Sequence, residues 1–99
     1  MLEIEIICHA TEDWELIEKA ASELFGLEFS KRVLKGHWGN PILFLSARPD
    51  KKQAEKVLNR LAAELPDIDP GSTRSLKLSK ESLVSGRLSE GEGIFVRLR

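Results

Sequence analysis

Cysteine occurs once in these 99 residues, which excludes an intramolecular disulfide framework and an all-cysteine zinc site. Net charge is almost absent. The 15 Lys+Arg and 16 Asp+Glu leave −1, which excludes the simplest nucleic-acid signature, a strongly basic whole domain. Long apolar runs are missing too: the longest, Ile42 to Leu45, is far too short to span a bilayer. Met1 leads straight into an alternating Leu-Glu-Ile-Glu pattern, so no secretory leader is expected. Gly is 7 and Pro is 4, which fits neither a collagen-like nor a low-complexity chain. What is present is a 41% hydrophobic and 31% charged composition, enough for one compact core. The expectation is a soluble, cytoplasmic protein in which residues 1–99 form a single domain.

The charge is balanced in total but not along the chain. Residues 1–30 carry eight acids and one base, whereas residues 31–48 carry Lys31, Arg32, Lys35 and Arg48 with no acid. Residues 72–99 carry six bases and three acids. Such polarity lets a small domain offer one basic face to a polyanion while its overall pI stays near neutral. It also serves solubility alone, so charge does not decide between the two.

Hydrophobic periodicity supplies the elements. Leu2, Ile4, Ile6 and Cys8 alternate with mostly polar neighbours, as in a strand with one buried face. Thr11 is a candidate cap for a helix with Trp14, Ile17, Ala21, Leu24 and Phe25 along one stripe, stopped by Gly26. Leu27, Phe29 and Val33 predict a second strand to about Leu34, followed by a turn-rich Lys35–Pro41 loop. Ile42 to Ala47 reads as a central strand buried on both faces. Asp50 with Gln53 forms a capping-box pattern ahead of a stripe of Ala54, Val57, Leu58, Leu61, Ala62 and Leu65, which Pro66 ends. Leu76 and Leu78 mark a fourth strand, Ser79 to Val84 a helical turn, Gly91-Glu92-Gly93 a hairpin turn, and Ile94, Val96 and Leu98 a last strand. The order β-α-β-β-α-β-short helix-β predicts an α+β fold, with the two main helices packed on one face of a mainly antiparallel sheet. A ferredoxin-like fold plus an extra strand is the alternative. Trp14, Ile17, Ala21 and Leu24 are expected to face the sheet with Val57, Leu58, Leu61 and Leu65.

Catalytic and metal chemistry find little to work with. Cys8 and His9 are strand neighbours pointing to opposite faces, so they do not converge on one metal or form one dyad. His37 leaves a third ligand missing. The expectation is no catalytic residue, no metal and no cofactor. The segment Lys31-Arg32-Val33-Leu34-Lys35-Gly36-His37-Trp38-Gly39-Asn40-Pro41 stands apart. Trp38 in a Gly-rich turn has a ring face suited to stacking on an unpaired base, and Lys31, Arg32 and Lys35 suit nearby phosphates. His37 and Asn40 suit base edges or a 2′-hydroxyl. The competing reading is that Trp38 folds back over the sheet and the glycines only make the turn.

Three patches together resemble a known family. They are Cys8-His9-Ala10-Thr11-Glu12-Asp13, then Gly36-His37-Trp38-Gly39-Asn40-Pro41-Ile42, then Leu78-Ser79-Lys80-Glu81 with Gly86-Arg87-Leu88 and Ile94-Phe95-Val96. Their order and spacing resemble the archaeal RNA-binding proteins described as predicted exosome subunits. The pattern departs where Ser79 and Glu81 flank Lys80 in place of an acid and a glutamine, and the chain is short for the family. The resemblance implies a fold like that of the ribosomal protein that binds 5S RNA, and a role in RNA binding. RNA-binding candidates are therefore Lys31, Arg32, Lys35, His37, Trp38 and Asn40, with Lys77, Lys80 and Arg87 among the C-terminal bases. Expected partners are structured or single-stranded non-coding RNA and exosome or ribosome-related proteins, with no membrane and with room for a homo-oligomer. The rival from another class is a protein-interaction module, docking through the acidic first helix or a sheet edge. An enzyme using His37 or His9 is a weaker third. RNA binding requires the bases of 31–40 and of the C-terminal region to share a surface.

Overall fold

The computed structural model describes residues 2–36, 39–67 and 74–98. Five strands and three helices follow in the order β1 (Leu2–Cys8), α1 (Trp14–Phe25), β2 (Ser30–Lys35), β3 (Pro41–Ala47), α2 (Lys51–Glu64), β4 (Ser75–Ser79), α3 (Lys80–Val84) and β5 (Gly93–Leu98). The strands make one antiparallel sheet in the order β2-β3-β1-β5-β4. This is the expected α+β architecture. The ferredoxin-like alternative would seat β4 beside β1, but β5 holds that place and pushes β4 to the edge.

One face of the sheet is the core. Leu2, Ile4, Ile6 and Cys8 of β1, Leu43, Leu45 and Ala47 of β3, Leu78 of β4, and Ile94 and Val96 of β5 are buried in one cluster. Ile17, Ala21, Leu24 and Phe25 of α1, and Val57 and Leu61 of α2, close it from above, with Trp14, Leu58 and Leu65 packed partly buried against it. The helical stripes thus meet the sheet as their spacing predicts, except that Ala62 of the second stripe is exposed, one position past the buried Leu61 and so rotated off the core face. Each fully buried aliphatic side chain contributes about 1.5–3 kcal/mol of transfer free energy.

The departures are local and have causes. Helix α1 is capped by Asp13 rather than Thr11: the Asp13 carboxylate accepts from the Leu16 N–H at 3.2 Å. Glu12 lies outside the helix and instead accepts from the His9 N–H at 2.7 Å. Leu27 and Phe29 are buried, but they lead into β2 rather than belonging to it. All of β2 is exposed, and it is an edge strand paired on one side only, with β3. Strand β3 is buried on alternate residues only, since no described element covers its second face. Gly91-Glu92-Gly93 is no hairpin turn, because α3 intervenes between β4 and β5. The Gly91 N–H donates to the Lys77 carbonyl and the Ser89 carbonyl accepts from Ser79, so this return segment zips onto β4. The Asp50 and Gln53 capping box forms with both reciprocal bonds, at 2.8 and 3.1 Å. Residues 68–73, between the end of α2 and β4, lie outside the described residues.

Candidate nucleic-acid interface

Alternation along the strands sorts the basic residues between two surfaces. In β2 the pairs Ser30↔Ser46, Arg32↔Phe44 and Leu34↔Ile42 lie on the sheet face that no described helix covers. Lys31, Val33 and Lys35 take the opposite register, toward the helices. Lys31 accordingly reaches α1, where its ammonium meets the Glu18 carboxylate at 3.3 Å. Lys35 is exposed at the end of the strand, and the hairpin loop begins after it. The Gly36 N–H donates to the Asn40 carbonyl at 2.7 Å and the Gly39 N–H to the Gly36 carbonyl at 3.1 Å, which closes the loop. Gly39 has φ +77°, a left-handed conformation that favours glycine, and a Cβ on Gly36 would run into the Ile42 side chain. Both glycines therefore have a backbone reason to be there. His37 and Trp38 lie outside the described residues.

The C-terminal candidates divide further. Lys77 lies on the helix-free face across from Phe95, with its ammonium 5.8 Å from the ring centroid. Lys80 does not present its charge to solvent. Its ammonium donates to the Ile7 carbonyl at 2.7 Å and to Glu12 at 2.6 Å, and its side chain is only 14% exposed. Burial pushes the Glu12 carboxyl up, but the His9 N–H and the Lys80 ammonium outweigh it and hold it below the usual glutamate range. Two of the patches that carry the family resemblance are thus joined through one ion pair. The stem of Lys80 lies directly over Gly93, where a Cβ would meet its Cγ at 2.7 Å. Arg87 is exposed next to Gly86, which lines a shallow cleft between α1 and α3 on the helical side. Of the described candidates, Arg32 and Lys77 share a face, Lys31 and Arg87 lie toward the helices, and Lys80 is enclosed.

The helix-free face also holds residues that the sequence reading left out. Arg32 lies 5.7 Å from the centroid of Phe44, so each half-buried ring on this face has a cation over it. Ile7 and Glu5 of β1 lie in register with Phe44 and Phe95, and Glu3 follows on the same face, in register with Arg97. Arg97 reaches Glu5 at 2.7 Å and Glu3 at 3.9 Å, and Arg48 reaches Glu3 at 3.8 Å. Burial and a hydrogen bond with Glu3 raise the Glu5 carboxyl above its ordinary range despite Arg97. A groove of about 680 Å³ opens here, lined among others by Glu3, Ser30, Arg32, Phe44 and Arg48. The alternation of Ile94, Val96 and Leu98 already put Phe95 and Arg97 on the other face of their strand, whereas Phe44 was hidden in an apolar run that reads as buried on both faces.

The RNA-binding family model matches residues 1–99. The chain belongs to this RNA-binding family. Solved structures agree on the fold. A DUF54 protein from Methanothermobacter thermautotrophicus superposes with a TM-score of 0.75 at 19% identity, covering 97% of this chain and 80% of that one. A DUF54 protein from Sulfolobus solfataricus gives 0.71 at 23% identity over 96% and 83% of the two chains. A UPF0201 protein from Methanococcus jannaschii gives 0.68 at 18% identity over 99% and 84%. No curated protein matches the chain. No helix among the described residues is long and apolar enough to cross a membrane.

Proposed function

We propose that this family member is a non-enzymatic, cytoplasmic RNA-binding accessory in RNA processing, degradation or ribosome-related machinery. Contact begins at the β2–β3 hairpin. The observation that carries this reading is β2 itself, exposed over all six residues and running with Lys31, Arg32 and Lys35 directly into the glycine-closed loop. Cations on an edge strand follow a phosphate backbone without reading bases. The loop supplies what the cations lack: an indole face at Trp38, and polar groups at His37 and Asn40. Lys31 contributes less than Arg32 and Lys35, because a phosphate must displace Glu18 to reach it.

An RNA titration at two salt concentrations tests this reading. Lys35→Ala should weaken all RNAs about equally and flatten the log–log salt dependence by about 0.7–0.9. Trp38→Ala should cost about 1–3 kcal/mol with little change in slope, and mainly on RNAs with unpaired bases. Wild-type affinity no better than millimolar at low salt would refute the reading. A second reading has one observation in its favour: Val33 is 61% and Leu34 42% exposed on an edge strand, as in a protein-docking module. Lys31 and Lys35 on either side of them work against strand addition.

A further inference from the structure

We propose that the helix-free face of the sheet is a stacking platform for single-stranded RNA, on which Phe44 and Phe95 each take one base. This rests on the RNA-binding reading above and extends it from the hairpin to the sheet. The two rings belong to β3 and β5, the strands that flank β1 on either side. Phe44 is in register with Ile7 and Phe95 with Glu5. The rings are therefore two strand spacings apart sideways and two residues apart lengthwise, about 12 Å in all. That exceeds the ~3.4 Å rise of a stacked strand, so the two bases must be splayed apart rather than stacked on each other.

The cations fit the same occupant. Arg32 and Lys77 are on exposed positions of β2 and β4, the two edges of the sheet, each over the ring it would vacate for a base. Their long side chains can swing to a phosphate beside the base. The mid-face acids do not bar the path between the two edges. Glu3 and Glu5 are offset by Arg97 and Arg48, which pair with them. Arg32 and Lys77 stand at opposite edges, so a backbone that reaches both crosses the face over β1, between the two rings. A duplex hides its base faces in its own stack, so the face selects single strands.

The experiment is a fluorescence-anisotropy titration of the full chain with a short labelled oligoadenylate, and with an RNA duplex of equal length. Phe44→Leu and Phe95→Leu keep an apolar side chain but remove the ring face. Each should weaken oligoadenylate binding by between about 5- and 150-fold, leave the salt slope unchanged, and leave duplex binding alone. Arg32→Ala should instead flatten the slope by about 0.7. Phe44→Trp enlarges the stacking face and should bind oligoadenylate more tightly than wild type with duplex binding unchanged; where a leucine variant melts early, a Phe44→Trp affinity no better than wild type overturns the platform. Leucine variants that bind like wild type, or that lose duplex and single strand equally, overturn the platform. If they bind like wild type while Lys35→Ala and Trp38→Ala weaken binding, the hairpin reading stands and the platform falls. A wild-type protein that binds no RNA overturns both.

Discussion

Replacing Lys80 with methionine separates a structural cation from an RNA contact. Methionine keeps an apolar stem over Gly93 but removes the ammonium that joins the Ile7 carbonyl to Glu12. Hydrogen bonds to charged groups contribute about 1.5–3 kcal/mol. The Lys80 and Glu12 side chains are 14% and 27% exposed, so the loss falls short of the ~3–5 kcal/mol for a fully buried pair. A loss of about 2 kcal/mol in a domain of this size lowers Tm by about 8–16 °C. The pH dependence carries the same signature. Glu12 titrates lower in the folded chain than unfolded, so its contribution is present above the ordinary glutamate value of 4.5 and disappears as pH falls through the lowered folded value. In Lys80→Met this acid-side loss of stability should shrink, which thermal melts across that range would measure. A Tm within about 2 °C of wild type would refute the reasoning. So would an RNA salt slope reduced by a whole contact, about 0.7–0.9, since that would make Lys80 a phosphate ligand.

Three further outcomes follow from the core and caps. Leu61, 1% exposed at the centre of the α2 contact, should cost about 2–5 kcal/mol when changed to alanine, read by urea denaturation. Asp50→Ala breaks both arms of the capping box and should cost about 1 kcal/mol by the same assay, with RNA affinity unchanged. The Cys8 thiol is fully buried, and burial pushes it up to about 11 even with Lys80 nearby. Alkylation at neutral pH should therefore be slow in the native protein and fast in denaturant. Because the folded thiol pKa is raised from 9.0, its stabilising contribution is intact below that value and fades as pH climbs toward 11.

The fold was largely legible from local pattern. Period-2 alternation in Leu2–Cys8 and Gly93–Leu98, helical stripes ending at Gly26 and Pro66, and the Asp50–Gln53 box each carry their own geometry in a few neighbouring residues. Boundaries were less so: Thr11 and Asp13 are both good caps by residue type, and only the folded chain shows that the helix starts at Trp14 with Asp13 as its cap. The strand order was beyond local reach, because whether β4 or β5 sits beside β1 depends on which pairing buries Leu78, Ile94 and Val96 together.

The candidate interface shows the same division. Residue types alone marked Lys31, Arg32 and Lys35 and the glycine-framed loop as a surface for a polyanion. They could not tell that Lys80 turns inward to a carbonyl and a carboxylate 73 and 68 residues away. Nor could they tell that Phe44 and Phe95 flank one strand on an uncovered face. Those facts come from strand pairing, which brings together residues far apart in the chain. Local periodicity says which residues share a face of one strand, and only the assembled sheet says what lies beside them and which face the helices leave bare.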